Sequence, residues 1–432
     1  MKRMKTLSIA ICLIFAIVLP ATVTLLWSDA PAPTSEAPTG FKTPTYSEEA
    51  GTHSTSNGLQ PPPGDSFALD QETFEEAEGV NDGLGPVFNA RSCADCHQNP
   101  VTGGSSQVTE FRAGHASRHN QFINPTVEIA DGRASIANRS LINDRAICAK
   151  AQELVPDSED VRTMRLSVNT LGDGFVEAID DSTLLQIAQQ QATLSGGRIA
   201  GEAIQVPVLE APGQTRIGRF GWKDQHGSLL SFSSDAYLNE QGISNRLNPV
   251  DTTTVCKDTT DPEDGPDQIG LDDIDHFAFF IRGTLAPPVD HHLAGTRKAQ
   301  AGQQIFSDIG CAMCHVPTIT TAPAGTPING GMFIIPDALG NKMIHPYGDF
   351  LLHDIGTGDG IVQNGPPDTA NKLRTAPLWG LRTRTHLMHD GLSVTVEDAI
   401  RRHSNEAGQS ARGFRRLSDR EEDALLTFLN SL

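Results

Sequence analysis

The segments RSCADCHQNP (residues 91–100) and IGCAMCHVPT (residues 309–318) share one pattern, Cys-x-x-Cys-His. Together they use four of the seven cysteines in a chain of 432 residues. Two cysteines at this spacing can bond to the two vinyl groups of one haem, and the adjacent histidine then ligates the iron. The repeated pattern therefore predicts two covalent c-type haems. The predicted attachment residues and proximal ligands are Cys93, Cys96 and His97 for the first haem, and Cys311, Cys314 and His315 for the second.

Zinc and a redox-active dithiol are the two rival interpretations of this pattern. Two cysteine pairs can supply a four-cysteine zinc site. The histidine that follows each pair, together with the export predicted below, favours haem instead. A thioredoxin-like pair needs no histidine at that place and appears once in a domain.

The chain is acidic, with a formal net charge of −20 at pH 7. This charge argues against binding to nucleic acid or to an anionic membrane surface. It suits a small uncharged substrate or a basic redox partner, and plain solubility explains it equally well. The 40 glycines and 27 prolines indicate many loops.

The N-terminal segment has the pattern of an export signal. Lys2, Arg3 and Lys5 precede an apolar run over residues 7–27. The run is long enough to span a bilayer uncleaved, so residues 1–27 are a signal peptide or a membrane anchor. Either alternative predicts an exported, periplasmic protein.

Composition divides the rest of the chain into three parts. Residues 28–65 are rich in Pro, Ser, Thr and Gly and are predicted to be a flexible linker. The sequence LAPPVDHH then marks a boundary near residue 290. We therefore expect an N-terminal haem domain at residues 66–290 and a C-terminal haem domain at residues 291–432.

The last fifteen residues, SDREEDALLTFLNSL, predict a helix. Ser418 and Glu421 form a capping box. One apolar stripe follows at helical spacing, formed by Leu425, Phe428, Leu429 and Leu432.

A second, shorter helix is predicted just upstream. Thr395 and Asp398 can cap it. One face then carries Val396, Ala399, Ile400 and His403. A histidine on an apolar face is a candidate haem ligand, although a core histidine is the alternative.

Two further cysteines, Cys148 and Cys256, remain outside the haem motifs and the N-terminal signal. In an exported protein they suggest a disulfide. Unpaired, buried thiols are the alternative.

Several blocks of the sequence resemble the di-haem oxidoreductase family described as "putative peroxidase". The blocks are DGLGPVFNARSCADCHQNP (82–100), RLSVNTLGDGFVEAIDD (165–181), GRFGWKDQHGSLLSF (218–232), FLLHDIGTG (350–358), LRTAPLWGLR (373–382) and HLMHDGLSVTVEDAIRRHSNEA (386–407). More distantly, the chain is similar to bacterial di-haem cytochrome c peroxidases. The resemblance extends from about residue 66 to the C-terminus.

The resemblance implies a distal ligand for the second haem. In the peroxidases a His-Asp-Gly element is followed, fourteen residues after its histidine, by a ligating methionine. Here His389 begins that element and His403 stands fourteen residues later. Histidine in place of methionine implies a lower reduction potential.

Three catalytic roles are also implied by the resemblance. Trp222 corresponds to a tryptophan that lies between the haems and relays electrons, and Glu240 to a distal acid that assists O–O cleavage. Arg165 matches an arginine that orients the pocket or binds a haem propionate. A calcium ion between the haems is implied as well, but no ligand set in the sequence identifies its site. No distal ligand of the first haem is identified, and His115 and His119 are unsupported candidates.

The expected fold is mainly α, with two cytochrome c-like haem domains and long loops. The expected function is a peroxidase-like oxidoreductase with a reactive N-terminal haem and an electron-relaying C-terminal haem. Its partners would be a small oxidant, such as peroxide or oxygen, and a redox donor protein. A di-haem electron carrier and a di-haem oxygenase are the alternatives.

Overall fold

The computed structural model describes residues 33–41, 56–130, 132–135, 139–257 and 263–432. The predicted signal or anchor at residues 1–27 and much of the predicted linker at 28–65 lie outside the described residues. Within the described ranges, no helix is both long and apolar enough to cross a membrane.

Short helices and shorter strands alternate along the chain. The helices are α1 (Phe67–Glu75), α2 (Asp173–Glu177), α3 (Asp181–Ser195), α4 (Leu229–Ala236), α5 (Asp273–Gly283), α6 (His291–Ala294), α7 (Arg297–Asp308), α8 (Val396–Arg401), α9 (Gly408–Phe414) and α10 (Asp419–Leu429). The strands are β1 (Ser35–Glu36), β2 (Val87–Phe88), β3 (Thr109–Ala116), β4 (Phe122–Ile123), β5 (Thr126–Ile129), β6 (Gly132–Ser135), β7 (Arg145–Ala146), β8 (Val161–Leu166), β9 (Gln205–Pro207), β10 (Thr215–Ile217), β11 (Ile319–Thr320), β12 (Pro327–Ile328), β13 (Phe333–Ile334), β14 (Lys342–Ile344), β15 (Leu352–His353) and β16 (Leu373–Arg374).

The expectation of a mainly α, cytochrome c-like fold is wrong. The part of the chain that the structure describes is only 30% helical and 16% strand, and its strands form many small sheets. The longest pairing joins β3 and β8 antiparallel, with Thr109 opposite Leu166, and β4 extends this sheet. A helix of several turns shows its periodicity and its caps in the sequence. A strand as short as Val87–Phe88 is too short to show an alternation of apolar and polar residues.

The C-terminal helix α10 forms as predicted and packs on α7. The capping box of Ser418 and Glu421 is confirmed, and the predicted apolar stripe is buried. Gly302 on α7 makes the close approach possible, because a Cβ atom there would lie 2.0 Å from the carbonyl oxygen of Ala424.

Helices α1 and α5 pack through aromatic side chains. The rings of Phe74 and Phe280 lie 4.7 Å apart, and those of Phe74 and Phe277 lie 6.1 Å apart. Phe74 also contacts the ring of His97 edge-on, at 6.3 Å between centroids. The α1–α5 pair therefore forms the wall behind the first Cys-x-x-Cys-His motif.

Residues 33–41, within the predicted linker, pair with the C-terminal half of the chain. Strand β1 runs parallel to β14, with Ser35 opposite Lys342. Thr39 forms a bridge with Ala286, and Ala37 is buried in the main core. Residues Pro33–Leu432 cluster as one compact unit. The predicted domain boundary near residue 290 stays a prediction.

Cys148 and Cys256 form a disulfide, which confirms the pairing suggested by the sequence. It joins residues 108 positions apart in the chain. The alternative of two buried free thiols is therefore wrong.

Candidate functional site

The second Cys-x-x-Cys-His motif lines a cavity of about 200 Å³, which we call the second cavity. A short 3-10 turn at Cys311–Met313 directly follows α7, and the chain enters it through Gly310 at φ 91°. Cys311, Cys314 and His315 all line the second cavity. The Nδ1 atom of His315 donates to the carbonyl oxygen of Tyr347 at 3.0 Å, which leaves Nε2 available as a ligand.

His403 lines the same cavity as His315. The helix that was expected to carry it, α8, ends at Arg401, because the chain turns there and Ser404 N–H donates to the carbonyl oxygen of Ile355. His403 therefore lies just beyond the helix, with Nδ1 donating to the carbonyl oxygen of Ala399 at 2.7 Å.

Both imidazoles are held neutral. Burial, and then the proximity of His403, lowers the pKa of His315 to about 4. Burial also lowers the pKa of His403. Two neutral imidazoles, each with Nδ1 bonded to a carbonyl and Nε2 free, are what axial ligation of one iron requires.

Two arginines line the second cavity as well, the buried Arg374 and the partly buried Arg384. Burial, and then the like charge of Arg374, lowers the pKa of Arg384 to about 10. The Nε atom of Arg374 has no hydrogen-bond partner among the described residues. Buried guanidinium groups of this kind suit the carboxylates at the edge of a haem.

A carboxylate–histidine cluster adjoins Cys314. His353 bonds Asp349 through Nε2 and Glu406 through Nδ1, both at 2.9 Å. Burial disfavours the charged imidazole, but Asp349, Cys314 and Glu406 together more than offset this effect, and the pKa of His353 is well above its ordinary value. The sequence reasoning missed this cluster, although His353 lies in the quoted block FLLHDIGTG.

The first Cys-x-x-Cys-His motif borders a smaller cavity of about 70 Å³, which we call the first cavity. A 3-10 turn at Cys93–Asp95 is capped by Ser92. Cys96 and His97 line the first cavity, and Cys93 is not among its lining residues. The Nδ1 atom of His97 faces the carbonyl oxygen of Gly104 at 3.3 Å, and burial lowers the pKa of His97.

Acidic and basic side chains line the first cavity together. Glu240 lies in the single π-helical turn Tyr237–Gln241. Burial, and then the neighbouring Glu110, raises the pKa of Glu240 well above its ordinary value. Glu110 itself pairs with Arg112 at 2.7 Å. The sequence reasoning found Glu240 but missed Glu110 and Arg112.

Arg165 lines the first cavity and is almost fully buried. Its Nε atom pairs with Asp359 at 2.7 Å, and its Nη1 atom donates to Gln363. Its Nη2 atom has no partner among the described residues. Lys223 shares Asp359, at 3.1 Å. Arg165 therefore holds one unused donor beside the cavity.

Trp222 lines both cavities. Its indole Nε1 donates to the carbonyl oxygen of Leu166 at 2.7 Å, which fixes the ring. His389 contacts the ring edge-on, with centroids 6.2 Å apart. The structure therefore brings Trp222 beside both motifs.

The described lining of the first cavity offers His97 alone as an imidazole ligand, with no methionine and no tyrosine. His115 instead pairs with Glu159 at 2.8 Å, and neither His115 nor His119 lines this cavity.

The two cavities fit two haems, because each has at least one motif cysteine, a proximal imidazole and a buried arginine N–H group that has no hydrogen-bond partner among the described residues. Two such sites define a di-haem class of oxidoreductase. The chain belongs to the family described as "Di-haem oxidoreductase, putative peroxidase", which matches residues 148–432. The family has two haems. The matched region includes the second motif, and the first motif precedes it.

Two solved structures are similar to the chain. A MauG-like protein associated with microbial copper homeostasis is 20% identical to the chain, with a TM-score of 0.24. The match covers 37% of this chain and 52% of that protein, so the chain spans about half of the length of the MauG-like protein. The Kuenenia stuttgartiensis hydrazine synthase pressurised with xenon is 12% identical with a TM-score of 0.38, over 90% of this chain and 100% of that one. No curated protein matches the sequence.

Proposed function

We propose that the protein is an exported c-type di-haem peroxidase-like oxidoreductase, with peroxide reduced at the first cavity and electrons stored and passed on at the second. The haems would be attached to the two motif cysteine pairs, and a redox donor protein would supply the electrons. Export rests on the N-terminal sequence pattern, and the calcium ion implied by the resemblance stays a prediction.

One difference between the cavities supports this division of roles. The second cavity offers two neutral imidazoles, His315 and His403, as axial ligands. The described lining of the first cavity offers one imidazole, His97. Its other polar side chains include carboxyl and guanidinium groups. An iron with two strong axial ligands favours electron transfer, whereas an open axial position permits reaction with a small oxidant.

Glu240 supplies proton transfer in this proposal. When bound, the first haem would supply the iron that accepts peroxide and delivers electrons to the O–O bond. Because burial and Glu110 raise the pKa of Glu240, the protonated carboxyl is favoured and can donate its proton to the leaving oxygen. Arg112 pairs with Glu110 beside it.

Arg165 and Trp222 complete the arrangement. The free Nη2 of Arg165 is a donor for an anionic group in the first cavity. Trp222 provides an aromatic ring that borders both cavities, and we assign it the relay of electrons from the second site to the first.

Spectroscopy and kinetics on the haem-loaded protein test this proposal. Mass spectrometry should first find two covalent haems on the chain. We then expect one high-spin ferric signal that changes with cyanide or peroxide and one low-spin signal that does not. Hydrogen peroxide should be reduced to two water molecules, with two electrons taken from a reduced donor and two protons taken up. Two low-spin signals unaffected by cyanide, with no peroxide turnover, would contradict the proposal and favour an electron carrier.

A further inference from the structure

A group of metal-ligand side chains lies apart from both cavities, at the junction of α1 and α5. Asp65 precedes α1, Asp70 lies in its first turn, and His276 lies on α5. One potential ligand atom from each residue lies within 4.8 Å of the other two. None of the three lines the first or the second cavity.

The distances suit ligands of one ion. Nδ1 of His276 lies 2.9 Å from an oxygen of Asp70 and 3.7 Å from an oxygen of Asp65. Ligand atoms that sit about 2.0–2.2 Å from a shared metal ion are themselves about 3–3.6 Å apart. On the other side of the ring, an oxygen of Asp267 lies 3.5 Å from Nε2 of His276. A carboxylate at that place orients a metal-bound histidine.

Asp65 gives an independent indication of a missing cation. Its side chain is 0% exposed. One of its oxygens, Oδ2, has no hydrogen-bond partner among the described residues. A buried carboxylate oxygen without a partner is costly. A proton on Nδ1 of His276 is donated to Asp70, so Oδ2 of Asp65 still has no hydrogen-bond partner.

The local charge points the same way. Asp65, Asp70 and Asp267 surround one imidazole. Among the described residues, no lysine or arginine pairs with any of these three carboxylates.

We propose that Asp65, Asp70 and His276 bind one divalent first-row transition-metal ion, such as Zn²⁺ or Mn²⁺, with Asp267 orienting the imidazole. An imidazole among the ligands favours these ions over Ca²⁺, which takes oxygen ligands. The ion ties the segment before α1 to α5. Through Phe74, it stabilises the wall behind His97.

Metal analysis of the haem-loaded chain without an affinity tag tests this site. After treatment with EDTA and dialysis, Zn²⁺, Mn²⁺ or Ca²⁺ is added back, and metal per chain is counted separately from iron. We expect about one Zn²⁺ or Mn²⁺ per chain. At an ion concentration 100 times the Kd, the Tm should rise by about 3 °C. Ca²⁺ should not have this effect.

The variants Asp65→Asn and His276→Gln should lose both the bound ion and the rise in Tm. His115→Gln is the matched control, because it removes another carboxylate-paired histidine and should behave as the wild type. If the variants do not fold, pulsed EPR of wild-type chain with one equivalent of Mn²⁺ should detect a directly bound imidazole nitrogen. Absence of the ion and of the Tm shift in the wild type would overturn the site, as would a shift with Ca²⁺ alone or full metal content in both variants. These measurements do not depend on peroxidase activity.

Discussion

His403 illustrates how one side chain determines the state of the second site. Replacing it with alanine removes the imidazole that faces the same cavity as His315. We therefore expect His403→Ala to convert a low-spin haem signal to high-spin. We expect His403→Met to stay low-spin with a higher reduction potential, because methionine ligation raises it. Electronic absorption, EPR and redox titration measure these changes.

His386→Ala is the control for that substitution. His386 lines the same cavity and is bonded to Thr385. Its removal should leave both signals unchanged. If His403→Ala preserves the low-spin signal while His386→Ala removes it, His386 is the ligand and our assignment is wrong.

Glu240 should control the pH dependence of turnover. In our proposal the protonated carboxyl is the active form, and its pKa is raised in the folded chain. Activity that uses this proton is therefore present below that pKa and is lost as the pH rises through it. Glu240→Gln should lower kcat for peroxide by about 100-fold or more and remove this limb of the profile.

The exposed Glu72 on α1 provides a carboxylate control for the same assay. Glu72→Gln should retain wild-type kcat and pH profile. An unchanged profile in Glu240→Gln, with both haems attached, would exclude Glu240 as the acid.

Single residues were predictable where a motif fixes their role. The Cys-x-x-Cys-His pattern places the haem attachment residues and the proximal ligand within five adjacent positions. The fourteen-residue spacing from His389, known from the family resemblance, indicates His403. Glu110 and Arg112 were missed because they lie on β3, and only folding brings them to Glu240. His353 was missed because its partner Glu406 is 53 positions away in the chain.

At the scale of elements, the contact between α7 and α10 depends on Gly302. A Cβ atom there would lie 2.0 Å from the carbonyl oxygen of Ala424. Gly302→Ala should therefore force the helices apart and lower the free energy of unfolding by about 1–3 kcal/mol. Denaturant unfolding of the haem-loaded chain measures the loss.

Gly265→Ala is the matched control, because a Cβ atom there would have no neighbour within 4 Å. It should unfold as the wild type does. Equal stability of the two variants would show that α7 and α10 tolerate a wider separation.

Elements with local signals were the predictable ones. The Ser418 capping box and the apolar stripe after it belong to one continuous segment, and α10 forms accordingly. The pairing of β3 with β8 joins residues that are far apart in the chain. No local pattern specifies such a partner, so the strand content was missed.

At the scale of the whole molecule, Trp222 is the aromatic residue among those that line both cavities, together with Leu166, Ser167 and Val168. In our proposal Trp222→Phe slows electron transfer from the reduced second site to the first. Stopped-flow mixing of the half-reduced protein with peroxide should show this slower phase, while the spectra of the separate sites stay unchanged.

Trp379→Phe is the control for this experiment. Trp379 is another tryptophan, buried in the main core, and it lines neither cavity. Its replacement should leave the transfer rate unchanged. Equal rates in both variants would remove Trp222 from the relay.

The existence of two sites was predictable because each motif is local. Their shared border was not, since it is formed by segments around Leu166, Trp222 and His389 that are distant in sequence. The family resemblance alone suggested that Trp222 lies there.

The pairing of β1 with β14 has a consequence for biogenesis. Since Ser35 is hydrogen-bonded to a segment more than three hundred positions later, β1 cannot reach its final place until most of the polypeptide has been synthesised. Shortened gene products that begin after residue 41 would leave β14 with an open edge, exposed to pairing with other molecules.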